Sequence, residues 1–247
     1  MEKIKTSIKR YWNWRSKSYG YDTDKSVKIA NKWESIFKEL VSDAPGRRAL
    51  DIGTGTGQLA VYLARAGFDV TGIDLSKNMI SHARQHAIIK KLDIDFQTGD
   101  AESLEFGDNT FDAVVSRNLL WTLPRPHQAL QEWRRVLKPG GTLVVSDGLW
   151  MNITWERVHH LALKLLNGMF RNGGIVSLRF FCSYAGLKKF LPFYKGLCFE
   201  DAYMLLQTAS FKEIKSYDTS CFGTNPYAGE NRWKITEPVF FIAYAKR

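Results

Sequence analysis

The sequence predicts an α/β fold in which a parallel sheet carries helices on both faces. Three observations lead there. Short apolar, β-prone runs alternate with stretches of helical periodicity from about residue 48 to 146, the rhythm of repeated βαβ units. The first run ends in a glycine-rich turn, "ALDIGTGTGQLA" at 49–60, which feeds directly into a helical pattern. At 247 residues the chain is long enough for one large domain, or for a domain with an embedded subdomain.

Taken in order, "KIKTSIKRYWNW" sets Ile4, Ile8 and Tyr11/Trp12 at helical spacing, with a basic opposite face. A second helix is expected over about 25–41, with Ile29, Trp33, Ile36, Phe37 and Leu40 on one side, and "DAPGRR" breaks the chain after it. Strands are expected at 48–52, 69–73, 93–97, 111–115 and 142–146. Helices fall between them at about 57–66, 77–90 and 126–137, the last closed by "VLKPGG". The rhythm stops at Trp150. Residues 151–199 are rich in aromatics and cations, and their short helical patterns read as an inserted cap. "EDAYMLLQTASF" is a further helix. The run at 211–217 and the β-prone "EPVFFIAYAKR" suggest a terminal antiparallel pair, separated by a polar loop at 218–234. There is no internal repeat and no low-complexity tract.

The net charge of +10 is unevenly placed. Residues 1–20 hold six Lys/Arg and one Glu, net +5, and residues 151–199 hold seven Lys/Arg and one Glu, net +6. Two segments therefore carry the whole excess, which points to an anionic partner. No run approaches the ~20 apolar residues of a membrane span. The basic N-terminus lacks a following apolar stretch, so no secretory signal is expected. Cys182, Cys198 and Cys221 are odd in number and lack metal-type spacing, which fits free thiols in a reducing, cytoplasmic setting.

A glycine turn at the end of a strand holds a nucleotide-like cofactor, and three kinds compete. A triphosphate loop needs a lysine after the last glycine, and none follows Gly57. A dinucleotide site matches better, because "GTGQLA" satisfies the glycine spacing and Asp74 follows at a suitable interval. Asp51 decides against it. This carboxylate precedes the turn, and within ~4 Å of a phosphate it would cost about 4 kcal/mol at an effective dielectric near 20. The same carboxylate favours a cofactor carrying an ammonium and a sulfonium and no phosphate, which describes S-adenosylmethionine.

"DIGTGTG", Asp74 in "GIDLS", "GDAESLEF", "FDAVVSRNLLWTL" and "EWRRVLKPGGTLVVSD" together resemble a class I S-adenosylmethionine-dependent methyltransferase of the small seven-stranded type. The similarity covers roughly 46–148 and resumes at 200–247. It implies a Rossmann-like, doubly wound, seven-stranded sheet, mostly parallel with a C-terminal antiparallel strand, plus N-terminal helices and the inserted cap. The expected division is a helical lid at 1–45, a cofactor-binding core at 46–150, a substrate cap at 151–199 and completion of the core sheet at 200–247.

The resemblance also implies roles. The turn Gly53, Thr54, Gly55 would approach the methionine part of the cofactor, and Asp51 would orient its ammonium. Asp74 would accept both ribose hydroxyls, matching two carboxylate oxygens to a diol, while Leu75 and Met79 flank the adenine. Asp100 would accept from the adenine amine, with a backbone N–H near Ala101 or Glu102 meeting a ring nitrogen. The Glu102 side chain itself reads as solvated. Arg117 and Asn118 would line the pocket between cofactor and acceptor. The Asn/Asp-Pro-Pro-aromatic signature of some nucleic-acid amine methyltransferases is replaced by "SRNLLW", "NPY" at 225–227 reads as a turn, and no Pro-Cys pair stands where a cytosine-C5 enzyme needs one.

"YWNWRSKSYGYD" at 11–22 is expected to close the site, with Tyr11, Arg15 or Tyr19 against the cofactor through cation–π contact or pairing with its carboxylate. Lid and cap are both basic, so the expected acceptor is an anionic small molecule. The cap aromatics Phe170, Phe180, Phe181, Tyr184, Phe190, Phe193 and Tyr194 add apolar character. Three alternatives stand beside this reading: RNA methylation or RNA binding by the basic rim, a first helix lying on an anionic membrane surface, and a cofactor-binding protein that has lost turnover. Where the acceptor must lose a proton, the candidate bases are Tyr11, His127, His159 and His160. Neither the methylated atom nor the oligomeric state is readable.

Overall fold

The computed structural model describes residues 2–20, 27–149, 183, 184, 186–222 and 240–247. Most of the expected cap, with His159, His160 and Cys182, lies outside the described residues, as does the "NPY" turn.

Two helices precede the sheet, α1 (Glu2–Arg15) and α2 (Val27–Leu40). The core then runs β1 (Arg48–Ile52), α3 (Gln58–Arg65), β2 (Asp69–Asp74), α4 (Lys77–Lys90), β3 (Asp95–Thr98), β4 (Phe111–Arg117), α5 (Pro126–Val136) and β5 (Leu137–Gly148). It finishes with α6 (Phe199–Thr208), β6 (Lys212–Ser216) and β7 (Phe240–Lys246). The seven strands form one sheet in the order β3-β2-β1-β4-β5-β7-β6. β7 runs antiparallel to both β5 and β6, and the other pairings are parallel.

Alternation along the central strands builds two cores. Leu50, Val114, Leu143 and Val145 face one side with Ile4, Ile8, Leu130, Trp133 and Leu206 from α1, α5 and α6. Their neighbours Ala49, Ala113, Val115 and Val144 face the other side with Trp33, Phe37, Leu63, Ile80 and Ala83 from α2, α3 and α4. Successive strand residues point to opposite faces, so a strand covered on both faces is apolar along most of its length. α4 is capped by the Ser76 hydroxyl, which accepts from the Met79 N–H at 3.2 Å.

Two expectations are corrected. β5 starts at Leu137 rather than 142, because Leu137 pairs with Phe111 before an irregularity brings Thr142 opposite Ala113. The apolar face of α1 is spent on the protein's own core, with Ile4, Ile8 and Tyr11 all buried. That face is therefore closed to a membrane surface, and only the basic side of the helix reaches solvent. Among the described residues no helix is long and apolar enough to cross a bilayer.

Candidate active site

The sheet order reverses between β1 and β4, and a ligand crevice is expected beyond the carboxyl ends of the strands at such a switch point. A cavity of about 220 Å³ lies there, walled by the glycine turn, the ends of β2 and β4, the 99–102 and 119–124 segments, and α1. Ligand pockets run from roughly 300 Å³ upward. α1 supplies one wall of the cavity through Lys5, Ile8 and Trp12.

The glycine turn starts from Asp51, which is 1% exposed. Its Oδ2 accepts from Thr54 Oγ1 at 2.6 Å and from the Ala60 N–H at 3.1 Å, so it caps α3 while bordering the cavity. Burial lifts its pKa to about 6, against the Thr54 hydrogen bond and the nearby charge of Arg117. Gly53 and Gly55 both have left-handed φ, +71° and +57°. A side chain at Gly53 would lie 2.9 Å from Leu119, whereas one at Gly55 would meet nothing within 4 Å and would stand in open space.

Asp74 ends β2 and is held in place by its own neighbours. Its Oδ2 accepts from the Gly55 N–H at 3.0 Å and its Oδ1 from the Ser76 N–H at 2.8 Å. Enclosure by protein lifts its pKa to about 6 as well, with those two N–H groups pulling the other way. Two carboxylates raised by burial on one wall of a cavity fit a cationic ligand and oppose a phosphate. The residues present thus suit a sulfonium–ammonium cofactor.

Leu75, Met79, Ala101, Arg117, Asn118 and Tyr19 also border the cavity. Arg117 stacks over Trp33 with its guanidinium carbon 5.1 Å from the ring centroid. Tyr11 and Arg15 are not brought to the cavity wall. Tyr11 packs inward, edge-on to Trp12 and Tyr184 at 5.2 and 5.1 Å, and burial pushes its pKa up to about 12, which unsuits it as a general base. Arg15 instead donates to Ser18 Oγ and covers the Tyr19 ring at 4.6 Å. His127 sits on the first turn of α5, away from the cavity, with its Nε2 buried and unpartnered among the described residues.

The acidic pair after β3 departs most from expectation. Asp100 Oδ2 takes Lys5 Nζ at 2.5 Å, and its Oδ1 accepts the Glu102 N–H at 3.0 Å. Glu102 is fully buried rather than solvated. Its carboxylate binds Lys5 Nζ at 2.6 Å, the Arg125 N–H at 2.6 Å and the Arg125 guanidinium at 3.0 Å. It thereby ties α1 to the start of α5. Lys5, Ile8 and Trp12 of the cavity wall were not among the expected site residues. They share one face of α1 by their spacing of three and four, a signal the sequence does contain. At its other end α1 is fastened through Asn13, whose Oδ1 accepts from Ser76 Oγ at 2.6 Å.

Of the expected cap, Tyr184 and Tyr194 are buried in the core and Phe190 is largely exposed. Cys198 begins α6, its thiol 3.3 Å from Asp201, and Cys221 is exposed; both are free thiols.

A seven-stranded sheet of this order, with a glycine turn after β1 and a carboxylate closing β2, defines the class I S-adenosylmethionine-dependent methyltransferase domain. Residues 50–145 match the family model described as a methyltransferase domain. The demethylmenaquinone methyltransferase of Renibacterium salmoninarum is 40% identical over 122 residues, 49% of this chain and 50% of that one. Phosphoethanolamine N-methyltransferase 3 of Arabidopsis thaliana is 38% identical over 112 residues, 45% of this chain and 23% of that one. A SAM-dependent methyltransferase from Aquifex aeolicus shares the fold with a TM-score of 0.58 at 18% identity, covering 94% of this chain and 97% of that one. The chain spans about half or less of the length of the curated relatives it matches.

Proposed function

We propose that this protein moves the methyl group of S-adenosylmethionine onto a small, anionic, partly apolar molecule. The observation that carries the reading is the series of carboxylates along the sheet edge, Asp100 after β3, Asp74 at the end of β2 and Asp51 in β1, each bordering one cavity. The bound cofactor supplies a methyl carbon already activated by positive sulfur. The chain's own work is then to bind, align and exclude water. Asp74 takes the ribose hydroxyls, Gly53, Thr54 and Gly55 leave room for the methionine part, and Asp51 turns its charge toward the ammonium. Leu75 and Met79 face the adenine, with Ala101 beside it. Asp100 meets the adenine amine once Lys5 has moved aside. Glu102 holds that wall in place, and Arg117 and Asn118 separate cofactor from acceptor.

Support for an anionic acceptor comes from the two basic segments. Trp12 of α1 donates from Nε1 to the Tyr184 hydroxyl at 3.0 Å, so the segment carrying exposed Lys188, Lys189 and Lys195 adjoins the helix carrying Lys3 and Arg10. The names of the two curated relatives, one acting on demethylmenaquinone and one on phosphoethanolamine, favour small-molecule acceptors over nucleic acid.

Calorimetric titration with S-adenosylhomocysteine and with NADH, using Asp74→Ala as control, tests the cofactor. Micromolar binding of the first alone, lost in the variant, is expected; NADH binding in its place overturns the reading. A screen of carboxylate- and phosphate-bearing acceptors, following S-adenosylhomocysteine release, then tests the substrate class. Turnover restricted to neutral acceptors would refute the anionic part.

A further inference from the structure

Asn118 has a side-chain oxygen that the described fold does not use. Its backbone is fully engaged: the N–H donates to the Ser146 carbonyl at 2.8 Å and the carbonyl accepts Trp121 Nε1 at 3.1 Å. The residue is held at a φ of +60°, a conformation that asparagine tolerates better than most side chains. Yet its Oδ1 is buried and has no hydrogen-bond partner among the described residues. A buried carbonyl oxygen without a donor is unfavourable and calls for an explanation, of which a bound ligand is one.

Its place fixes which ligand. Asn118 borders the cavity, and the next residue, Leu119, lies against Gly53 of the glycine turn. β2, β1 and β4 are consecutive in the sheet. A cofactor with its ribose on Asp74 and its amino-acid part over Gly53 therefore presents its reactive sulfur toward the end of β4, where Asn118 stands. Thr122 also borders the cavity, but its hydroxyl is turned to the Leu119 carbonyl at 2.7 Å. The neighbouring Arg117 only donates, and no histidine among the described residues borders the cavity.

We propose that Asn118 receives the methyl acceptor, its Oδ1 accepting a hydrogen bond from an N–H or O–H of the attacking atom and holding that atom's lone pair toward the methyl. The acceptor is then a nitrogen or oxygen nucleophile that carries a hydrogen. The acceptor's lone pair forms the new bond to the methyl carbon as the carbon–sulfur bond breaks with its electron pair going to sulfur, and the acceptor's proton then leaves to solvent. An amide neither takes nor gives that proton at neutral pH, so Asn118 orients and does not act as base. This rests on the cofactor reading above.

Sinefungin provides the probe, because it carries a primary amine on the carbon that replaces sulfur and directs that amine where the methyl would point. Its affinity and that of S-adenosylhomocysteine are measured by calorimetry on the wild-type protein, Asn118→Gly and Asn118→Asp. The glycine variant suits the positive φ, and the aspartate keeps an acceptor oxygen. Wild type is expected to prefer sinefungin by about tenfold or more, the scale of one charged hydrogen bond. Asn118→Gly should lose that preference while its S-adenosylhomocysteine affinity stays within about twofold, and Asn118→Asp should retain it. A preference absent from wild type, or unchanged in Asn118→Gly, overturns the assignment while the cofactor reading stands. Failure of wild type to bind either compound removes the cofactor reading and this proposal together.

Discussion

Replacing Asp74 by asparagine separates binding from folding at a single position. In the wild type its two oxygens accept the Gly55 and Ser76 N–H groups at 3.0 and 2.8 Å. Asparagine keeps one acceptor and turns an NH₂ group toward the other donor, which forfeits about 1.5–3 kcal/mol for a charged hydrogen bond. The substitution also removes a cost. A carboxyl raised from 3.8 to about 6 destabilises the fold by about 3 kcal/mol when it ionises at neutral pH. The two effects oppose each other and are of similar size, so the melting temperature should move little. Cofactor binding has no such compensation. Losing one of two charged hydrogen bonds to the ribose should weaken S-adenosylhomocysteine by about 2–3 kcal/mol, roughly 30- to 150-fold. Calorimetry at pH 8 gives the affinity, and thermal unfolding of the same samples gives the stability. An Asp74→Asn protein that melts normally and binds within threefold of wild type would refute the placement of the ribose on Asp74.

Three further perturbations follow from the same geometry. Gly55→Ala puts a methyl into open cavity space at a φ of +57°, so it should cost about 1–2 kcal/mol of stability from the left-handed backbone and weaken S-adenosylhomocysteine about tenfold, read by the same two assays. Asp51 and Asp74 both stand at about 6 against 3.8 unfolded; their contribution to stability is full below 3.8 and is lost as pH rises through about 6. Binding of a cationic ligand runs the opposite way, releasing protons near pH 6 and weakening by about tenfold per carboxyl between pH 8 and 5, which titrations in buffers of different ionisation heat will reveal. Lys5→Ala removes the cation shared by Asp100 and Glu102, so S-adenosylhomocysteine should enter and leave severalfold faster in stopped-flow tryptophan fluorescence. Unchanged rates would mean that α1 does not govern access.

Much of the core was legible because its signals are local. The helices between strands were readable from periodicity, and the strands from β-prone runs broken by glycine and proline. The start of β5 was not, since only the pairing of Leu137 with Phe111 extends the strand back through "LKPGG". The glycine turn and Asp74 sit next to the strands that position them, and their arrival at one cavity follows from the sheet alone. Of the expected lid residues Tyr19 does border the cavity, whereas on α1 the wall is formed by Trp12 and not by its neighbour Tyr11. Tyr11 and Trp12 lie about 100° apart on a helix, and that rotation sends Tyr11 into the core and Trp12 to the cavity. No local pattern says which face of an amphipathic helix meets the ligand.

Glu102 shows why the remainder was hidden. In "GDAES" a glutamate reads as solvated, and nothing within several residues contradicts that. Its burial depends on cations from elsewhere: Arg125, 23 residues away, and Lys5, which reaches the same acidic pair across 95 residues to Asp100. An anion fully removed from solvent is tolerated only when such partners are in place. Lys5 is also a wall of the cavity. The position of α1 and the charge balance at the Asp100 end are therefore coupled, because lifting the helix to admit a ligand strips one of the two cations from Glu102. Glu102 thus contributes, through Lys5, to holding α1 where it packs.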